Sequence, residues 1–201
     1  MSSLNKIIKR IFDIVCSGLG LIILSPFLLF VAIRIKMGSD GPVFFKQIRV
    51  GEKGREFKIL KFRTMVVDAE KLGRQITVGN DSRITKIGAF LRKYKIDELP
   101  QLINVFKGDM SLVGPRPEVP RYVNMYTEEQ RKVLDVKPGI TDLASIRYRD
   151  ENELLGQAEN PDEFYINTIM PDKLALNLEY INKSNIFLDI YIILKTILKC
   201  I

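Results

Sequence analysis

Residues 14–33 read IVCSGLGLIILSPFLLFVAI, twenty positions without a charge. As a straight helix this run is about 30 Å long, enough to cross the hydrocarbon core of a bilayer. Two features favour another path. Ser25-Pro26 stands near the middle, where proline removes a backbone donor and crowds the preceding turn, bending or breaking a helix. Both flanks are also basic, with Lys6, Lys9 and Arg10 before the run and Arg34, Lys36, Lys46 and Arg49 after it. Positive flanks favour the cytoplasmic side, and here both ends ask for it. A helix–break–helix that enters one leaflet and returns meets both demands. A spanning helix that tolerates its proline is the alternative. A cleaved signal is disfavoured, because the run is longer than a signal core and no A-x-A site follows it.

Charge is unevenly spread through the 201 residues. Residues 1–95 hold 19 Lys+Arg against 7 Asp+Glu, whereas the remainder is net acidic, for an overall +7. A basic front half points to an anionic partner: lipid head groups, nucleic acid or a phosphorylated substrate. The length is that of one domain able to bury a real core. Cys16 and Cys200 lie in apolar stretches with no ligand spacing or disulfide framework, as in a reduced chain facing the cytoplasm. The absence of histidine excludes Ser-His triads, His-ligated zinc and a histidine general base. Catalysis, if present, falls to carboxylates, lysines and arginines, with or without a hard metal ion.

Beyond residue 36 the pattern is α+β and mainly helical. Runs at 43–50 and 56–63 flank Gly51-Glu52-Lys53-Gly54 and predict a β-hairpin. Ile84, Ile87, Leu91 and Tyr94 recur at helical spacing. A second helix is predicted over 98–107, with Gly108 past its end. A third is predicted over 127–136, capped by Thr127 and ended by Pro138-Gly139. Residues 150–163 are polar, loop or short helix. In the last segment, NIFLDIYIILKTILKCI, the residues Asp189, Lys195, Thr196 and Lys199 fall in one wedge. That suits an amphipathic helix on a membrane surface with its lysines toward head groups, or a core helix packed on the domain. The organisation expected is therefore a membrane helix over 1–36, a catalytic domain over 37–184 and an interfacial helix over 185–201.

Within this frame the stretch KYKIDELPQL (93–102) places Asp97 and Glu98 side by side at the predicted start of the 98–107 helix, with Pro100 in its first turn. A helix start favours anions, and Arg92, Lys93 and Lys95 add cations. Adjacent carboxylates repel and raise one pKa. A Mg²⁺ ion bridging Asp97 and Glu98 to a diphosphate would relieve that. Plain helix capping is the competing account. Lys58, Lys61 and Arg63 come from KILKFRTM, and Arg116 stands between two prolines in SLVGPRPEVP, where a restricted backbone aims its guanidinium. A rigid surface loop and a solvated sheet edge are the bland readings of these two.

Together these residues resemble the small monotopic phosphoglycosyl transferases of the bacterial sugar transferase family. The resemblance rests on Ser25-Pro26, KFRTM (61–65), LRKYKIDELPQLINVFKGDMSLVGPRP (91–117) and KPGIT (137–141), and covers nearly the whole chain. It implies transfer of a phosphosugar from a UDP-sugar to polyprenyl (undecaprenyl) phosphate at the cytoplasmic face of the bacterial inner membrane. UMP leaves, and polyprenyl diphosphosugar is the product. It implies Asp97 as nucleophile forming an aspartyl-phosphosugar intermediate, Glu98 as its dyad partner, Arg92 and Arg116 as anion contacts, and Ser25 and Pro26 as the re-entrant break. Lys61 and Arg63 join the candidate phosphate contacts. After Thr141 the chain departs from the family pattern, reading DLASIRYRDENELLG, and Arg147 and Arg149 are the candidates for the arginine role there. A catalytically silent scaffold for glycan assembly is the alternative function. A basic protein binding nucleic acid or lipid without chemistry leaves the ordered motifs unexplained, and no nucleic-acid signature is present.

Overall fold

The computed structural model describes residues 3–69 and 81–200; the outermost residues of the expected membrane and interfacial segments, 1–2 and 201, lie outside them. The fold is mainly helical with a small antiparallel hairpin. Helix α1 (Ser3–Gly38) leads into strands β1 (Phe44–Val50) and β2 (Glu56–Phe62), then α2 (Lys86–Lys93), a 3-10 turn (Ile96–Glu98) and α3 (Gln101–Lys107). Strand β3 (Ser111–Val113) precedes the short helices α4 (Pro120–Val123) and α5 (Glu128–Arg131). Strand β4 (Gly139–Thr141) precedes α6 (Leu143–Arg147), α7 (Glu151–Gly156) and α8 (Pro161–Phe164), and a π-helical turn leads into α9 (Met170–Lys183) and α10 (Ile186–Cys200).

The hairpin forms as predicted, with Phe44 opposite Phe62 and Val50 opposite Glu56. Lys53 and Gly54 take left-handed conformations in its turn. Helix α2 is capped by Thr85, whose hydroxyl accepts from Gly88 N–H at 3.0 Å. Thr127 caps α5 in a reciprocal box with Gln130. The parallel pair β3–β4 was not expected, since each strand has only three residues. It depends on close backbone approach: a Cβ at Gly114 would collide with the Lys137 carbonyl just before β4, and one at Gly139 with the Gly114 backbone just after β3.

The predicted 98–107 helix begins later than the sequence suggests. Lys95 adopts a left-handed conformation (φ 54°) and a 3-10 turn carries Asp97 and Glu98, so α3 starts only after Pro100. Proline has no N–H to extend helical bonding back across that point.

Helix α1 also differs from expectation, because it continues through Pro26 from Ser3 to Gly38. Proline cannot donate to the carbonyl four residues back, which is that of Ile22. The Ser25 hydroxyl donates to that same carbonyl at 2.8 Å, replacing the missing bond. The helix docks on the domain through both halves. In the first, Arg10 donates to the Val105 and Phe106 carbonyls at the end of α3 (2.7 and 3.0 Å). Asp13 is buried and accepts from Leu112 N–H (2.9 Å) and the Ser111 hydroxyl (3.1 Å). Gly18 and Gly20 let Phe106 and Leu102 approach closely. In the second half, Val31 and Ile35 pack with Phe62 and Leu91. Between them the outer face is bare, with Ile22 and Ile23 71% and 73% exposed.

Helix α10 is turned the opposite way from a soluble amphipathic helix. Asp189 is buried, takes Lys9 at 2.5 Å and accepts from the Tyr180 hydroxyl at 2.5 Å. Thr196 bonds Thr141 at 2.6 Å, and Lys199 donates to the Ile146 carbonyl at 2.7 Å. Asp189, Thr196 and Lys199 thus bond within the protein, whereas Lys195 of the same wedge is exposed. The exposed face is apolar, led by Phe187 at 81%. Contiguous bare apolar surface of this kind marks a membrane or partner contact.

Lys9, Asp189 and Tyr180 tie α1, α10 and α9 together. Leu at position 189 leaves the Lys9 ammonium without its partner at a largely buried site, so Asp189→Leu should destabilise by about 3 kcal/mol. The double variant Lys9→Met/Asp189→Leu should recover much of that loss in detergent unfolding titrations. Equal losses in single and double variants would show that the pair does not hold the helices.

Candidate active site

A cleft of about 1110 Å³ runs between the motif segments, flanked by Phe12 and Cys16 of α1 and by Ile193 and Ile197 of α10. Its reactive wall starts with β2. Asn104 of α3 reaches across to that strand, accepting from Leu60 N–H (3.0 Å) and donating to the Lys58 carbonyl (2.9 Å). One buried amide therefore docks α3 on the strand and brings Lys61 against the dyad turn. On the far side, Gly114 N–H donates to the Thr141 carbonyl and Gly139 N–H to that of Pro115. The Arg116 backbone N–H donates to Asp142 at 3.2 Å. Asp142 also caps α6, so Arg116 is held by its own main chain before its side chain meets anything.

Glu98 occupies the point where these supports converge. Lys61 donates to its Oε1 at 2.9 Å, and Arg116 donates to both oxygens, to Oε2 at 3.1 Å and closely to Oε1. Burial opposes ionisation of Glu98, but Arg116 and then Lys61 overcome it and hold the carboxyl well below the usual range. Arg116 is raised in turn, chiefly by Glu98. Lys61 is lowered by burial, although Glu98 opposes the shift.

Asp97 is in the opposite situation. It is buried, and its Oδ1 has no hydrogen-bond partner in the protein. Burial first, and the Glu98 charge second, push its carboxyl up, with Lys61, Arg92 and Lys95 partly countering. Two neighbouring carboxylates thus have divergent environments: one saturated by cations, the other desolvated with an oxygen to spare. A buried unsatisfied oxygen costs about 1–3 kcal/mol and calls for a role.

The structure gathers most of the expected residues. Lys61, Arg92, Asp97, Glu98, Arg116 and Arg149 all line the cleft. Arg63 lies elsewhere, buried and donating to the Ser39 and Asp40 carbonyls that follow α1. Arg147 points outward, 3.4 Å from Asp172, on a largely exposed side chain. Ser25 and Pro26 lie on α1, away from the cleft-lining residues.

A second polar group in the same cleft escaped the sequence reading. Arg49, Glu118, Glu151, Tyr165 and Lys173 line it together. Glu118 follows the Arg116-Pro117 pair, a local signal that could have found it; Lys173, from α9, carries none.

As for a cation, no cluster of three or more candidate ligands occurs among the described residues. Both Glu98 oxygens already receive hydrogen bonds. Asp97 Oδ1 does not, and it suits a hard ion that takes most of its ligands from phosphates and water.

The family described as Bacterial sugar transferase matches residues 4–201. The chain is 39% identical over 208 residues to the UDP-glucose:undecaprenyl-phosphate glucose-1-phosphate transferase of Escherichia coli (strain K12), covering 99% of this chain and 41% of that protein. It is 38% identical over 201 residues to the UDP-N-acetylgalactosamine-undecaprenyl-phosphate N-acetylgalactosaminephosphotransferase of Aeromonas hydrophila, covering 98% and 44%. It therefore spans less than half the length of these two relatives. It is also 41% identical over 203 residues to the exopolysaccharide production protein PSS of Rhizobium leguminosarum bv. phaseoli, covering 96% and 95%. With a match over nearly its full length, the chain belongs to the bacterial sugar transferase family.

Proposed function

We propose that this chain transfers a sugar phosphate from a UDP-sugar to polyprenyl phosphate, undecaprenyl phosphate by analogy with its relatives' names. The observation that carries the proposal is the contrast between Glu98, clasped by Arg116 and Lys61, and Asp97, buried with an unpartnered oxygen. A carboxylate oxygen of Asp97 attacks the sugar-bearing phosphorus, leaving the other to meet a cation. A P–O bond forms to the carboxylate, and the bond to the bridging oxygen breaks, releasing UMP. A phosphate oxygen of the polyprenyl acceptor then attacks the same phosphorus and frees the Asp97 carboxylate. The two displacements require no histidine and no net proton transfer, and the covalent intermediate splits one transfer into two steps.

Phosphoryl transfer depends mainly on positioning and charge neutralisation. Arg116 and Lys61 are held on Glu98, the residue next to Asp97, while Arg92 and Arg149 line the same cleft. Glu98 acts as the anchor of these cations. Mg²⁺, which Asp97 Oδ1 would help hold, supplies further neutralisation of the diphosphate when bound.

Purified protein given Mg²⁺, polyprenyl phosphate and a panel of UDP-sugars should release UMP with at least one donor, and Asp97→Asn should lower that rate about 1000-fold or more. Undiminished release would remove Asp97 as nucleophile. The attacking group must be ionised, and its pKa is raised. Activity should therefore be full at high pH and fall as pH drops through that raised value, so the acid limb of kcat/KM lies above the ordinary 3.8. A limb at or below 3.8 would contradict this assignment.

We further infer a monotopic arrangement at the cytoplasmic face of the bacterial inner membrane. Its support is that α1 docks on one body through residues on both sides of its bare apolar stretch. A helix passing straight through a bilayer would have to leave that body at one end. Lipid would cover Ile22, Ile23 and the outer face of α10, whatever bend Ser25-Pro26 adopts there. Single cysteines placed before residue 10 and after residue 36, in a chain lacking its own, should both react from the cytoplasmic side. Labelling from opposite sides would establish a spanning helix.

A further inference from the structure

The second polar group in the cleft differs in kind from the dyad cluster. Arg49 and Lys173 are balanced by Glu118 and Glu151, so the group is neutral and rich in both donors and acceptors. Lys173 is buried and donates to Glu151 at 2.9 Å, while Glu118 lies 3.9 Å away, beyond hydrogen-bond reach. Glu118 accepts from the Tyr165 hydroxyl through Oε1. Its Oε2 lies 3.6 Å from Arg49, again too far for a hydrogen bond. Arg49 spends its own donors on the Pro117 carbonyl (3.0 Å) and Gln47 (2.7 Å). Hydrogen-bonding capacity thus remains on Lys173 and Glu118, at the wall of a cleft that also contains Asp97.

A phosphate would meet two carboxylates here, whereas uncharged hydroxyls would find both acceptors and donors. A nucleobase would want an aromatic face. The Tyr165 ring has Lys173 at 5.2 Å from its centre and Tyr122 packed at 4.9 Å, and it is buried. Arg49, 3.6 Å from Glu118, lines the cleft together with Glu98. The donor's sugar is joined through its anomeric oxygen to the phosphorus that Asp97 attacks, and one cleft holds both Asp97 and this polar group.

From this geometry we propose that Glu118, Glu151 and Lys173 form the subsite that reads the hydroxyl pattern of the donor's sugar. The proposal rests on the transferase reading above. A site that hydrogen-bonds a particular hydroxyl discriminates strongly against a donor lacking it.

The test measures kcat/KM for a panel of UDP-hexoses and UDP-N-acetylhexosamines in the wild type, Glu151→Gln and Glu151→Asp, together with inhibition by UMP. Glu151 is partly exposed, and Glu151→Asp keeps the charge beside Lys173. The expected result is a change of about tenfold or more in the ratio of kcat/KM between donors, with UMP inhibition unchanged. A uniform loss across donors, or no change, would give these residues a purely structural role and overturn the subsite. A parallel shift in UMP inhibition would assign the subsite to the nucleotide and overturn it also. A wild type that releases no UMP from any donor would instead overturn the transferase reading itself.

Discussion

The site depends on the clasp of Arg116 and Lys61 on Glu98. Each partner comes from a different part of the fold: Lys61 from the hairpin, Glu98 from the turn before α3, and Arg116 from the loop after β3. Removing Glu98 leaves two buried cations uncompensated, and removing either cation leaves Glu98 with a single partner. The clasp also decides what Asp97 is. With the neighbouring carboxylate fixed as an anion and the cations committed to it, Asp97 is left desolvated and short of one hydrogen bond. Its environment is the consequence of how its neighbour is satisfied, and the proposed reactivity rests on it.

The scaffold serves that clasp. The Asn104 amide fixes the spacing of β2 and α3, and the glycines at 114 and 139 allow two short strands to lie close enough to hold Pro115-Arg116. Helix α1 then braces the same parts from below. Arg10 caps α3 and Asp13 receives the β3 backbone, so the long apolar helix and the turn carrying Asp97 and Glu98 share one support. Such coupling would suit the proposed transfer, in which one substrate stays in lipid and the other arrives from water.

Much of this was legible in the chain. The hairpin followed from strand patterning around Gly51–Gly54, and the caps at Thr127 and the candidate dyad followed from local residue types. What could not be read was whatever depends on distant partners. The 3-10 turn at Ile96–Glu98 arises because Lys95 turns left-handed, which no propensity signals. The inward polar stripe of α10 has the same periodicity as an outward one, and only Lys9, Thr141 and Ile146 reveal its direction. Lys173 is an ordinary helical lysine until α9 packs it against Glu151. Arg63 and Arg147 matched the pattern of anion contacts by sequence, yet one ties down the end of α1 and the other faces Asp172 outside the cleft. Pro26 predicted a break, and the helix continues through it with the Ser25 hydroxyl bonded to the Ile22 carbonyl.

The central claim, that Asp97 and not Glu98 becomes covalently joined to the sugar phosphate, is tested most directly by mass spectrometry of the protein incubated with its UDP-sugar and Mg²⁺ in the absence of acceptor. The account predicts an added sugar phosphate on the peptide containing Asp97, discharged when polyprenyl phosphate is supplied. An adduct on Glu98, or product formation on mixing with acceptor under conditions where no adduct can be trapped, would contradict it.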